Sequence, residues 1–106
     1  MSPYVLGAEA DSDLEEIWDY IAEDSVRAAD RWIERLFETF EALARAPGMG
    51  HRRPDLTPLP VLFWPVGRYL IIYRATHGTV EIVAVTQGAR NIPVFLSRRL
   101  PSGRST

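Results

Sequence analysis

The chain has 106 residues, 46% of them apolar, and a formal net charge of −2. That is the length of one domain with enough apolar content for one core, which excludes a disordered chain. It contains no cysteine and no lysine, which removes disulfides, thiolate nucleophiles, cysteine metal sites and lysine catalysis in one step.

PYVLGAE, residues 3–9, reads as a short first strand. Ser12 with Glu15 three residues on has the spacing of a capping box. Leu14, Ile17, Trp18 and Ile21 then recur at helical spacing on one face, and Asp11, Asp13, Glu15 and Glu16 crowd the start, where the helix dipole favours anions. The helix is expected to stop near Asp24, and Ser25 to cap a second one. The apolar positions of the second helix are Val26, Ala29, Ile33, Leu36, Phe37, Phe40, Leu43 and Ala44, with Glu41 and Arg45 spaced for an ion pair and Pro47-Gly48 as its end. Two amphipathic helices with so short a link form an antiparallel hairpin whose acids face solvent.

PGMGHRRPDLTPLP, residues 47–60, holds four prolines and two glycines and is a loop. Three strand-like runs follow: VLFWPV (61–66), RYLIIYRA (68–75) and TVEIVAVT (79–86). The first two join at a turn around Pro65 to Arg68, and His77-Gly78 fits a two-residue hairpin turn. Runs 69–73 and 82–85 are apolar at nearly every position, so both sheet faces need cover. The helical hairpin covers one. IPVFLSRRL (92–100) or another protein must cover the other. The fold expected is α+β in the order β-α-α-β-β-β, a helical hairpin on a small antiparallel sheet with room for a short C-terminal helix. It forms one domain over residues 1–100, with 101–106 a loose tail.

No leader pattern and no bilayer-length apolar run is read, so the expectation is a cytoplasmic protein with no membrane role. His51 and His77 stand far apart and make no metal site by themselves; no metal and no cofactor are expected. Charge is divided unevenly. Residues 1–46 hold 12 acids and four arginines, a balance of −8, while residues 47–106 hold two acids and eight arginines, a balance of +6. Either the basic half faces an acidic partner, nucleic acid or peptide, or the two halves attract each other.

DLEEIWDYIAED (13–24), PGMGHRRPDL (47–56), VGRYLIIYR (66–74) and EIVAVTQGARN (81–91) occur in an order and spacing that resembles the ParE branch of the ParE/RelE toxin superfamily of bacterial type II toxin–antitoxin systems. The resemblance implies the RelE/ParE-like fold and a toxin neutralised by a cognate ParD-like antitoxin. That antitoxin carries a ribbon-helix-helix domain that binds operator DNA, and its tail wraps the toxin in a hetero-oligomer. It also implies DNA gyrase as target, with a block to replication. RelE-type relatives are instead ribosome-dependent mRNA endonucleases.

RNA cleavage needs a base for the 2′-hydroxyl, a proton donor for the leaving oxygen and cations for the phosphorane charge. The lysine positions of RelE-like enzymes read VLFW (61–64) here, the arginine of the next strand falls near Leu70, and the C-terminal tyrosine falls in VFL (94–96). Arg90 alone matches, so it is the one catalytic candidate, and the chain reads as a binding toxin rather than an enzyme. His51 with Asp55 offers a weaker base-and-orienter pair. Arg68, Arg74, Gln87 and Arg90 are the expected target contacts. Arg68 and Arg74, six apart, share a face if no bulge intervenes. Phe63, Trp64, Tyr69, Ile71, Tyr73, Val83 and Val85 are the expected antitoxin contacts, with base stacking an alternative for Trp64. Gln87 and Asn91 stand where the family commonly has histidine and aspartate, which weakens a salt-bridge role there. Gly88 is expected to let the chain turn off the last strand. Arg90 either anchors that turn to an acid on the helical half or faces the target. A toxin fold that has lost toxicity and serves only in assembly is the third reading.

Overall fold

The computed structural model describes residues 4–100. The N-terminal three residues of the chain and the tail at 101–106, including the start of the first expected strand, lie outside the described residues. The elements run β1 (Tyr4–Leu6), α1 (Ala10–Ala22), α2 (Val26–Arg45), a short 3-10 turn at Pro47–Met49, β2 (Leu62–Val66), β3 (Tyr69–Thr76), β4 (Thr79–Gln87) and α3 (Ile92–Arg99). The fold is α+β, in the order read from the sequence. The sheet order is β1-β4-β3-β2; β2, β3 and β4 form the antiparallel meander, and β1 joins β4 in parallel, so the sheet is mixed.

The start of α1 departs from expectation. Glu9 is its N-cap, without a side-chain cap, and Ser12 already lies inside the helix. Tertiary packing sets this start. Gly7 donates its N–H to the Ile82 carbonyl at 2.8 Å, so close that a Cβ would sit 2.9 Å from that oxygen. Ala10, three residues on, is fully buried and donates its N–H to the Gly7 carbonyl at 3.1 Å. Ser25 caps α2 as expected, its Oγ accepting from the Ala28 N–H at 3.0 Å. Trp18 is half-buried and donates Nε1–H to Asp30 at 2.9 Å, tying α1 to α2. Glu41 and Arg45 form no ion pair.

The helical hairpin packs on one sheet face. Leu14, Ile17, Leu36, Phe40 and Leu43 meet Tyr69, Ile71, Tyr73, Val80, Ile82 and Val85 there. The chain covers the opposite face itself: Ile92 and Leu96 of α3, with Val61 and the loop before it, close over Phe63, Ile72, Val83 and Ala84. Period-two alternation puts Tyr69, Ile71 and Tyr73 on one face and Ile72 on the other, which is why β3 reads as continuously apolar.

The turns follow backbone chemistry. His77 (φ 52°) and Gly78 (φ 77°) are both left-handed, as a type I′ hairpin requires. The other hairpin is tighter than the expected turn, with Gly67-Arg68 between the paired Val66 and Tyr69. Pro65 therefore belongs to β2. As an edge-strand residue facing away from the ladder it costs no hydrogen bond. Outside β2, His51 exchanges two backbone hydrogen bonds with Phe63, at 3.1 and 2.9 Å. Buried Tyr73 fastens the same loop: its hydroxyl donates to the Pro47 carbonyl at 2.7 Å and accepts from the Gly50 N–H at 2.8 Å.

Candidate functional site

The end of β4, the turn after it and α3 bring the notable polar residues together. Gly88 N–H donates to the Arg68 carbonyl at 2.8 Å, and Arg90 N–H to the Gln87 carbonyl at 3.1 Å, closing a turn over 87–90. The turn does not depend on glycine: Gly88 has no left-handed φ, and a Cβ there would make an ordinary 3.5 Å contact. Asn91 then caps α3, its side-chain oxygen accepting from Val94 N–H at 3.2 Å, with proline in the first helical turn.

Arg90 is exposed. Its Nη1 donates a long 3.3 Å bond to the hydroxyl of buried Thr86, and its guanidinium lies 4.8 Å from the Phe95 ring centroid. No ion pair joins it to an acid of the helical half. The residue that does make that link is Arg99, which the sequence reading passed over. Its Nη1 and Nη2 hold both oxygens of Asp13 at 2.9 and 2.8 Å, and its Nε sits 2.8 Å from Glu9. Arg99 also donates to the Val83 carbonyl at 3.1 Å, while Asp13 accepts from Val85 N–H at 3.0 Å.

The reason lies in β4. A bulge at Val83 interrupts its register with β3, and β1 ends at Leu6, opposite Ile82. Beyond that point the outer side of β4 has no strand beside it. Asp13 and Arg99 supply the missing acceptor and donor. Both side chains are nearly buried, with 9% and 14% exposure. Buried charges of this kind persist only when paired and hydrogen-bonded. The Arg99 pKa is raised, first by its hydrogen bond to Asp13, and burial opposes this only in part. A sequence signal existed: Asp13 falls in the same helical stripe as Ala10, Leu14 and Ile17, the apolar face rather than the solvated one.

Among the expected target contacts, Arg68, Gln87 and Arg90 share one end of the molecule. Gln87 is the ladder partner of Tyr69, next to Arg68, and all three side chains are exposed. Arg74 does not join them: it lies towards the other end of β3 and holds Glu81 at 2.7 Å. Arg68 is in the turn rather than in β3, so the shared-face argument fails for this pair; the bulge that interrupts the ladder lies on β4. Of the expected antitoxin contacts, Phe63, Tyr69, Ile71, Tyr73, Val83 and Val85 are buried under the chain's own helices, and Trp64 is half-buried against the first core. A partner reaches those six only by displacing α1, α2 or α3.

Asp55 is taken by Arg53 in two hydrogen bonds, 2.9 and 2.7 Å, which hold its carboxyl below the usual carboxylate range. It therefore does not orient His51. Arg90 hydrogen-bonds Thr86 and shares its surroundings with Gln87, Asn91, Glu9, Glu16 and Tyr20, while Asp13 is already committed to Arg99. Among the described residues no cluster of three or more histidine, cysteine or acidic side chains could hold a metal, and no helix is long and apolar enough to cross a membrane.

Comparison with known proteins gives this arrangement its context. The family model described as the ParE toxin of the type II toxin–antitoxin system, parDE, matches residues 4–92. A solved structure described as a chromosomal ParDE toxin–antitoxin system from P. aeruginosa superposes with a TM-score of 0.68 at 19% identity, covering 82% of this chain and 96% of that one. That likeness shows the shared fold. No curated protein matches the chain. With the family model spanning both helices, the whole sheet and the Arg90 turn, the chain belongs to the ParE toxin family of type II toxin–antitoxin systems.

Proposed function

We propose that this toxin acts by binding rather than by catalysis, that DNA gyrase is its target, and that a ParD-like ribbon-helix-helix antitoxin neutralises it in the cytoplasm. Operator DNA is contacted only through that antitoxin. The observation that carries the reading is the cluster of exposed Arg68, Gln87 and Arg90 where the β2–β3 turn meets the end of β4, in a chain that lacks the lysines and C-terminal tyrosine of RelE-like nucleases. Exposed guanidinium groups recognise an anionic surface well, and RNA cleavage of the RelE type requires a further set of cations and a tyrosine that this sequence does not carry.

Induced expression without antitoxin tests this. Filamentation, a DNA-damage response and accumulated cleaved gyrase–DNA complexes are expected. Rapid loss of translation with cut messages, and normal gyrase supercoiling in vitro, would replace the reading with a RelE-like nuclease. Absence of any growth effect would leave a toxin fold retained for assembly alone.

A further inference from the structure

An open pocket of about 440 Å³ lies between Glu9 and α3, with Arg90, Val94, Phe95, Arg98 and Arg99 on its walls. From its chemistry we infer that it seats a side-chain carboxylate of the antitoxin, on a segment where that acid is flanked by an apolar residue. The inference rests on reading the chain as a neutralised toxin, and names the place and chemistry of neutralisation.

The three arginines are in different states. Arg99 is committed through all three nitrogens, to Asp13, Glu9 and the Val83 carbonyl. Arg90 has only its long bond to Thr86 and its contact with Phe95. Arg98 is exposed and makes no ion pair among the described residues. Two guanidinium groups are therefore open to an incoming anion.

Three features make that anion a carboxylate. First, the pocket already contains one: Glu9 rests on Arg99 while remaining 62% exposed. Second, Glu9, Asp13 and Glu16 already set negative charge around these arginines, which disfavours a doubly charged phosphate more than a singly charged carboxylate. Third, part of the wall is apolar. Val94 is 46% exposed on α3, and half-buried Phe95 lies beside it. Phe95 already has two guanidinium groups against it, Arg90 and Arg99, each at 4.8 Å, so it is a poor platform for a nucleobase. An acid next to an apolar side chain uses both kinds of wall.

The partner is the antitoxin because the chain belongs to a toxin–antitoxin family and, in the function proposed above, Arg90 is the residue that meets the target. A segment that pairs with Arg90 removes it from that contact. Neutralisation is then direct competition for one side chain and needs no change of toxin shape.

The test uses the full-length toxin and the antitoxin from the adjacent reading frame, with affinity measured by calorimetry at two salt concentrations. The variant Arg90→Glu with Arg98→Glu leaves the Asp13–Arg99 pair intact, and its fold is checked by circular dichroism and urea midpoint. It is expected to bind antitoxin about tenfold more weakly or worse. Arg52→Glu, on an exposed loop arginine, is expected to stay within about twofold of wild type. Arginine side-chain N–H resonances of Arg90 and Arg98 should shift in the wild-type complex while that of Arg52 does not. Equal affinity of the double variant, or unmoved Arg90 and Arg98 resonances, overturns the inference and leaves the toxin reading standing. Displacement of antitoxin by inorganic phosphate or single-stranded oligothymidylate overturns it in favour of a phosphate site. A wild-type toxin that binds no antitoxin overturns both readings together.

Discussion

Arg90 and Arg99 are the same residue type on one surface, and their environments assign them opposite work. Arg99 is nearly buried and bonded through every nitrogen; Arg90 is exposed and held by one long bond. Removing one member of a buried pair leaves an uncompensated charge, so Arg99→Ala is expected to cost about 3 kcal/mol or more, read from urea denaturation. Arg90→Ala is expected to cost about 0.5 kcal/mol or less and to abolish toxicity while antitoxin-bound protein still folds. Equal losses of stability would show that Arg90 anchors the turn after all. Tyr73 is the other isolated anchor. Tyr73→Phe orphans the Gly50 N–H and the Pro47 carbonyl and is expected to destabilise by about 1–3 kcal/mol. Burial raises the pKa of Tyr73, as it does for Tyr69 and Tyr4. The folded chain thus keeps these phenolic protons where the unfolded chain, titrating near about 10, releases them. Their contribution is whole below that pH and is lost as pH rises through the folded values. Urea midpoints should fall above about pH 10, and fall less steeply in Tyr73→Phe.

At the scale of elements, local chemistry made much of the fold legible and tertiary packing made the rest illegible. Ser25 could be read as a cap because its hydroxyl needs only the N–H three residues on. His77-Gly78 could be read as a hairpin turn because both positions need a left-handed backbone. Ser12 misled because the start of α1 is fixed by Gly7 against β4, a contact with no local trace. Six of the seven expected partner contacts proved internal because an apolar strand looks the same whether a partner or the chain's own helix covers it. The sequence named Arg68, Gln87 and Arg90 together with Arg74, but only the register across the hairpin puts the first three at one end and Arg74 towards the other. The Asp13–Arg99 pair was not, since it depends on a bulge and on where β1 ends. The glycines give a graded test. At Gly67 a Cβ would combine a left-handed backbone (φ 60°) with a 2.6 Å clash against Trp32, whereas Gly78 has the backbone term alone (φ 77°) and Gly88 neither. Alanine at these sites should destabilise in that order, with about 1–2 kcal/mol for Gly78→Ala and almost nothing for Gly88→Ala. A different order in melting temperature would contradict the turn assignments.

For the molecule as a whole, the charge division of −8 against +6 is met in part inside the chain, and the rest is available to the proposed antitoxin. Among the described residues the halves attract through Arg99, which meets Glu9 and Asp13, and the remaining ion pairs lie inside the basic half. Arg68, Arg90 and Arg98 are left facing solvent. Antitoxin affinity should therefore fall as salt rises, whereas the urea midpoint of the toxin alone, supported by a nearly buried pair, should respond weakly. α3 has the second whole-molecule role. Truncation after Asn91 exposes Phe63, Ile72, Val83 and Ala84 together and is expected to give an aggregating chain rather than a trimmed domain, as seen by light scattering.

The Asp13–Arg99 pair spans 86 positions of sequence. At a synthesis rate of about 5–20 residues per second, Asp13 is made roughly 4 to 17 seconds before the guanidinium that completes it. Through that interval the outer side of β4 lacks its donor and α3 does not yet exist to close the second core. A nascent toxin therefore spends seconds as an unfinished chain, during which neither the Arg90 surface nor its pocket is assembled, and the clasp forms only once α3 has been made.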